Sequence, residues 1–168
     1  MLYMVLLLPG LLLVSLQDFK YREVYWWVFP YLIAVSIWFN QSLMTIESVT
    51  YNSIFMLIQL ISVVFYLLLK NRKKNSGSLK GYLGLGDILF FIVLIVSFSA
   101  LNFVVYYMLS LFVAALATTA YNFFTHKKVT VPLAGIQSAG LILLLIICNI
   151  YDFSPFNDTL LMSMLYGR

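Results

Sequence analysis

From Leu2 to Leu16 the chain carries no charged side chain, and similar apolar runs recur along its length, each ended by a short polar break. A run that meets lipid must satisfy its backbone amides and carbonyls internally, because hydrocarbon holds no water to do so. Helices and closed barrels are the two solutions, and apolar runs of roughly 20 residues fit the helix. The pattern predicts an all-α fold, a polytopic transmembrane bundle of about six spanning helices, near 2–19, 25–40, 51–69, 86–100, 103–124 and 131–150. All of 1–168 reads as one integral-membrane domain.

Composition excludes the other broad classes. Hydrophobic residues make up 63% of the 168, charged residues 10%, and mean hydropathy is +0.99, which a water-soluble globule does not tolerate. The net charge of +4 does not point to nucleic acid, because its lysines and arginines lie in breaks between spans and leave no basic domain to carry such binding. Cys148 stands alone inside an apolar run, and His126 stands beside Lys127 and Lys128 in a polar break. Neither has the partners a disulfide or a zinc site requires, so no metal and no cofactor is expected. No basic segment precedes the first run and no small-residue cleavage pattern follows it, which favours a span over a signal peptide.

The polar breaks set orientation. Lys20 and Arg22 follow the first span, Lys70, Arg72, Lys73, Lys74 and Lys80 follow the third, and Lys127 and Lys128 follow the fifth. The breaks after the second and fourth spans, the latter a tight one expected at Asn102, contain no basic residue. The positive-inside rule therefore puts the odd-numbered breaks in the cytoplasm and both termini outside. Anionic lipid facing those basic breaks is an expected partner, each cation near the surface gaining about 1 kcal/mol. Tyr25, Trp26 and Trp27 read as an interfacial aromatic belt at the start of the second span, where Pro30 either kinks the helix or marks its first turns.

In this frame two carboxylates stand out. Asp18 closes the first span and Asp87, in Gly84-Leu85-Gly86-Asp87, opens the fourth, so both lie at one depth on the cytoplasmic side. A carboxylate beside an apolar span is costly and is a functional-site hypothesis by default. Two of them in a partly desolvated place cannot both ionise cheaply, so they share a proton and titrate as a unit. The ionised member then accepts a proton from an attacking water while the protonated member hydrogen-bonds the peptide carbonyl, as in aspartic proteases. Gly84 and Gly86 remove side chains before Asp87, which admits an extended substrate backbone and unusual dihedral angles; Gly81 adds to that freedom. The structural alternatives are an N-cap role for Asp87 and a solvated interfacial position for Asp18 beside Lys20 and Arg22.

Asp18-Phe-Lys-Tyr-Arg22-Glu-Val24, followed by Gly84-Leu-Gly-Asp87 after a basic loop, resembles the type IV prepilin peptidases, members of the GxGD class of intramembrane aspartyl proteases. Val131-Pro132-Leu133-Ala134-Gly135 is similar to that family's Ile-Pro-Phe-Gly-Pro segment at the start of a late helix. The resemblance implies an inner (cytoplasmic) membrane endopeptidase that removes the basic leader of prepilin-like preproteins, with Asp18 and Asp87 as the catalytic pair. It also implies that Gly84, Gly86, Arg22 and Pro132 contact substrate. Lacking a cysteine-rich cytoplasmic segment, the chain resembles the short, peptidase-only members. It departs from the family pattern at Tyr25-Trp26 in place of Pro-Asn, at Leu89 in place of lysine, and at Ala134-Gly135 in place of Gly-Pro. Two other readings are a non-catalytic homologue acting in assembly and a small transporter with a proton-linked carboxylate pair; oligomeric state is left open.

Overall fold

A computed structural model of the protein describes residues 2–41, 43–71, 84–125, 132–150, 155 and 158. The basic stretch from Arg72 through Gly81, the His126-Lys127-Lys128 break, Val131 and most of the tail from Tyr151 lie outside the described residues. Six helices follow one another: α1 (Leu2–Tyr21), α2 (Val28–Asn40), α3 (Ile46–Asn71), α4 (Leu85–Ser97), α5 (Ala100–Thr125) and α6 (Leu133–Ile150). Their number and order are those the apolar runs predict, and no strand occurs among the described residues.

Helices α1, α3, α5 and α6 are long and apolar enough to cross a bilayer. Helices α2 and α4 have 13 residues each, about 20 Å at 1.5 Å per residue, which is shorter than a hydrocarbon core. Helix α2 starts late because Tyr25 to Trp27 form a turn, with the Val28 amide donating to Tyr25 O at 3.2 Å and the Phe29 amide to Trp26 O at 3.3 Å. Pro30 sits unstrained in the first turn that follows, where its missing amide costs nothing. Helix α3 begins at Ile46, ahead of the predicted Tyr51, because Thr45 caps it: its Oγ1 accepts the Ser48 amide at 3.2 Å, the N-cap to N3 bond.

The break between the fourth and fifth helices also moves. It falls at Phe98 and Ser99, and Asn102 lies within the first turn of α5. Asp158 supplies acceptors there, taking the Ser99 hydroxyl at 2.5 Å and the Asn102 amide at 3.4 Å, while the Asn102 side-chain amide donates to Pro155 O at 2.8 Å. The polarity of Asn102 thus serves a tail contact rather than a chain reversal.

Helix α4, though short, is the hub, touching α2, α3, α5 and α6 and burying Phe90, Phe91, Val93 and Leu94. Helix α1 packs mainly on α6 and α2. On α1 the buried residues Leu7, Leu11 and Val14 form one stripe, spaced by four and three residues, and the same spacing next reaches Asp18. At Gly10 a Cβ would lie 2.7 Å from Leu32 Cδ2, so the glycine sets how closely α1 and α2 approach. Polar side chains tie the helices where lipid cannot compete: Ser36 and Ser97 hydroxyls meet at 3.0 Å between α2 and α4. The Asn52 side-chain amide donates to Ile95 O at 3.1 Å and Phe98 O at 3.0 Å, joining α3 to the far end of α4. Asn52→Ala is expected to lower stability by about 1 kcal/mol, the usual size of an interhelical hydrogen-bond loss in membranes, measured by denaturant titration in mixed micelles. No change in the midpoint would show that α3 is held by apolar packing alone.

Candidate active site

Helix α1 ends in a left-handed residue. Arg22 has φ 59 and is the one described non-glycine residue with positive φ, and its amide donates to Asp18 O at 3.2 Å, a helix-ending arrangement. The chain then folds back so that the Tyr25 amide donates to Gln17 Oε1 at 3.0 Å. This return puts Val24 against Gly86, where a Cβ would stand 3.7 Å from Val24 Cγ2. The last turn of α1 and the first of α4 are thereby held side by side.

Asp87 occupies the N3 position of α4, and Gly84, not Asp87, is the N-cap. The Gly84 amide donates to Asp87 Oδ2 at 3.2 Å, the half of a capping box that a glycine N-cap allows. Gly84 has φ −77 and ψ 148, ordinary extended backbone, and none of the described glycines is left-handed. The expected unusual dihedral at the glycines is therefore corrected: it belongs to Arg22. Gly86 faces Val24, while Gly84 is exposed beside the Asp87 carboxylate.

The first turn of α6 joins the two aspartates. The Ala134 amide donates to Asp87 Oδ1 at 2.9 Å, and the Gly135 amide donates to Asp18 Oδ2 at 2.6 Å. Ala134 and Gly135 are consecutive, with Cα atoms about 3.8 Å apart, so the carboxylates are gathered at one point. Asp18 is 8% exposed, and its charge is felt by Asp87. Arg22, exposed at the rim, acts electrostatically on both.

Pro132 explains why α6 needs partners from elsewhere. It precedes the helix, its carbonyl accepts the Ile136 amide at 3.0 Å, and its side chain has no acceptor for the amides above it. Carboxylates from α1 and α4 cap the turn in place of an N-cap side chain, and the positive end of the α6 dipole favours their charge. Gly135 is required by proximity: a Cβ there would meet Asp18 Oδ2 at 3.0 Å and Asp18 Cβ at 3.2 Å.

All six residues singled out in the sequence, Asp18, Arg22, Gly84, Gly86, Asp87 and Pro132, thus fall around one point. The amides of Ala134 and Gly135, with Gln17 and Val24, are the parts that sequence reasoning did not assign. The available signal was Gly135 in the first turn of a helix that a proline opens.

Fold and site together define a multi-pass helical membrane protein with a carboxylate pair gathered at one end of its bundle. Residues 5–123 match the type IV leader peptidase family, and the chain belongs to that family, whose members are peptidases of the prepilin-processing kind. The match includes Asp18 and Asp87 and stops short of Pro132. No curated protein and no solved structure matches the chain.

Gly135→Ala is expected to destabilise the protein by about 1–3 kcal/mol through overpacking against Asp18. The loss should shrink in an Asp18→Ala background, where the Asp18 oxygen and Cγ that crowd the new methyl group are gone. A double-mutant cycle of unfolding free energies measures this, and additive losses would place the clash elsewhere.

Proposed function

We propose that the chain is a membrane-embedded aspartyl endopeptidase in which Asp18 and Asp87 activate water to hydrolyse one peptide bond of a prepilin-like preprotein. The observation that carries the reading is the pair of bonds from consecutive amides, Ala134 to Asp87 and Gly135 to Asp18, which gather the two carboxylates at one point. One oxygen of each carboxylate is engaged by α6. Asp18 Oδ1 is the oxygen best left for water, since Asp87 Oδ2 also receives the Gly84 amide.

The chemistry follows from a shared proton. The ionised carboxylate takes a proton from water as the water oxygen bonds to the peptide carbonyl carbon, and the protonated carboxyl donates to the carbonyl oxygen. The tetrahedral intermediate collapses when the C–N bond breaks and the amine leaves with a proton from the dyad. Arg22 offsets part of the negative charge at the rim, and Gly84 keeps side chains away from the approach to Asp87. Lysine and arginine placement supports a cytoplasmic position for this end of the bundle, and in the proposed reading it lies at the inner membrane, where a basic leader preceding a hydrophobic segment is accessible. Residues 1–168 act as one integral-membrane peptidase unit, with Pro132 and the glycines contacting substrate.

Cleavage is the test. Purified protein in lipid is mixed with a preprotein carrying a basic leader, a glycine and a hydrophobic helix, beside Asp18→Asn and Asp87→Asn. Each substitution is expected to lower kcat by about 10²–10⁴-fold, the usual contribution of a positioned acid or base. Undiminished turnover in either variant sinks the dyad and returns Asp87 to its capping role. For the wild type, kcat/KM is expected to be bell-shaped in pH, falling on the acid side as both carboxyls protonate and on the alkaline side as both ionise. A profile flat across the range in which the protein stays folded would remove the shared proton from the mechanism.

A further inference from the structure

The bundle is closed at the end away from the carboxylates and open at the end that holds them. Helix α3 packs on α4 and α5 through Asn52, Phe55 and Met56, with Phe55 set edge-on to the rings of Phe103 and Tyr107. Followed toward the site, the same stripe of α3 reaches Val63, which is 42% exposed. Every side chain from residue 61 to 65 is exposed, so more than one full turn of α3 stands off the core.

The two helices that α3 leaves behind show the same gradient. On α4 the stripe through the partly buried Ile95 runs back by three, four and three residues to Ile92, Ile88 and Leu85, which are 42%, 36% and 80% exposed. Leu85 and Ile88 flank Asp87 in sequence. On α5 the side of the Phe103 and Tyr107 face that continues through the partly buried Leu111 reaches Ala115, which is exposed, while the adjoining side through Ser110 and Ala114 stays buried. Three stripes that are buried or partly buried at the far end are exposed at the site end, which leaves a wedge between them.

We propose that this wedge seats the hydrophobic helix of the preprotein substrate, which enters sideways from the bilayer and brings its leading end to Asp87. The occupant rests on the peptidase reading given above; the wedge itself rests on packing. Three properties argue for a helix of the substrate in particular. The described side chains of the wedge carry no charge, which suits an apolar segment and not a basic leader. The wedge is continuous with the carboxylate pair through Ile88, so a helix lying in it ends where hydrolysis occurs. From 113 to 120 α5 reads Val-Ala-Ala-Leu-Ala-Thr-Thr-Ala, and small side chains let a second backbone approach closely in lipid. Before substrate arrives, lipid chains fill the space at little cost, since they are as apolar as the side chains.

The test separates the wedge from the dyad. A photoreactive p-benzoylphenylalanine is placed singly at Val63, Ile92 and Ala115, and for comparison at Leu12 on α1 and Leu143 on α6, which are exposed but lie on other helices. Each protein also carries Asp18→Asn, so that bound substrate stays intact. The probe is a labelled preprotein with a basic leader, a glycine and about 20 apolar residues. Wedge positions are expected to capture the probe several-fold more efficiently than Leu12 and Leu143. Equal capture at all five, preference for α1 or α6, capture of a second copy of this chain from the wedge, or no capture at all each overturn the proposal.

A kinetic arm supports the crosslinking without depending on it. Ile92→Trp partly fills the wedge and is expected to raise KM for the preprotein about tenfold with kcat little changed, the mark of lost uniform binding. Cleavage of a short peptide that has the leader and glycine but no hydrophobic helix should be unaffected. Equal losses on both substrates overturn the proposal, because they report damage to the site. Capture in the wedge together with cleavage that survives Asp18→Asn and Asp87→Asn leaves the wedge standing and removes the dyad.

Discussion

The arrangement depends on four orphan amides at the start of one helix. In a soluble protein water satisfies them; near lipid they need acceptors supplied by the protein. Pro132 can offer none from its side chain, and the acceptors arrive from α1 and α4 as Asp18 and Asp87. One interaction thereby does three things: it ends α6 correctly, it fixes the first and fourth helices against the sixth, and it gathers two carboxylates that repel one another when both are charged. The positive end of α6 offsets part of that repulsion. A carboxylate pair built this way is held by backbone donors, with the Arg22 charge acting on both members, and two such neighbours compete for a proton.

The same constraint explains why short helices sit at the centre. Helix α4 has to present Asp87 at its third position, so it begins at the depth of the site. It also has to end at Ser97, where Ser36 and Asn52 hold it to α2 and α3. Its 13 residues are buried by neighbours on most sides and need not span lipid alone. Helices α1, α3, α5 and α6 are the ones long and apolar enough to cross the bilayer, and α3 stands off its neighbours toward the site end. Tight packing at one end and open packing at the other separate the region that holds the helices together from the region proposed to receive substrate.

Much of the site was legible along the chain, since Leu7, Leu11, Val14 and Asp18 already share a stripe and Gly84-Leu85-Gly86-Asp87 stands before an apolar run. Helix ends were less legible. Thr45 and Ser99 start helices earlier than hydropathy implies, because a capping bond or a tail carboxylate such as Asp158 satisfies the first amides whatever the polarity of the next residues. The unusual backbone was sought at glycines, where it costs least, and found at Arg22, where reversal of the chain after α1 requires it.

The chain by itself determined the class of fold, the order of the helices, the side of the membrane that its basic residues favour and the identity of the two carboxylates. Those properties follow from which side chains tolerate lipid, and hydropathy and charge are carried residue by residue. The tertiary structure alone decided what holds the carboxylates together and where the bundle opens. The donors at Ala134 and Gly135 are backbone amides, which every non-proline residue possesses and which no composition can single out. The wedge between α3, α4 and α5 is likewise a matter of helix direction, since apolar side chains facing lipid and apolar side chains facing a neighbour look alike in sequence.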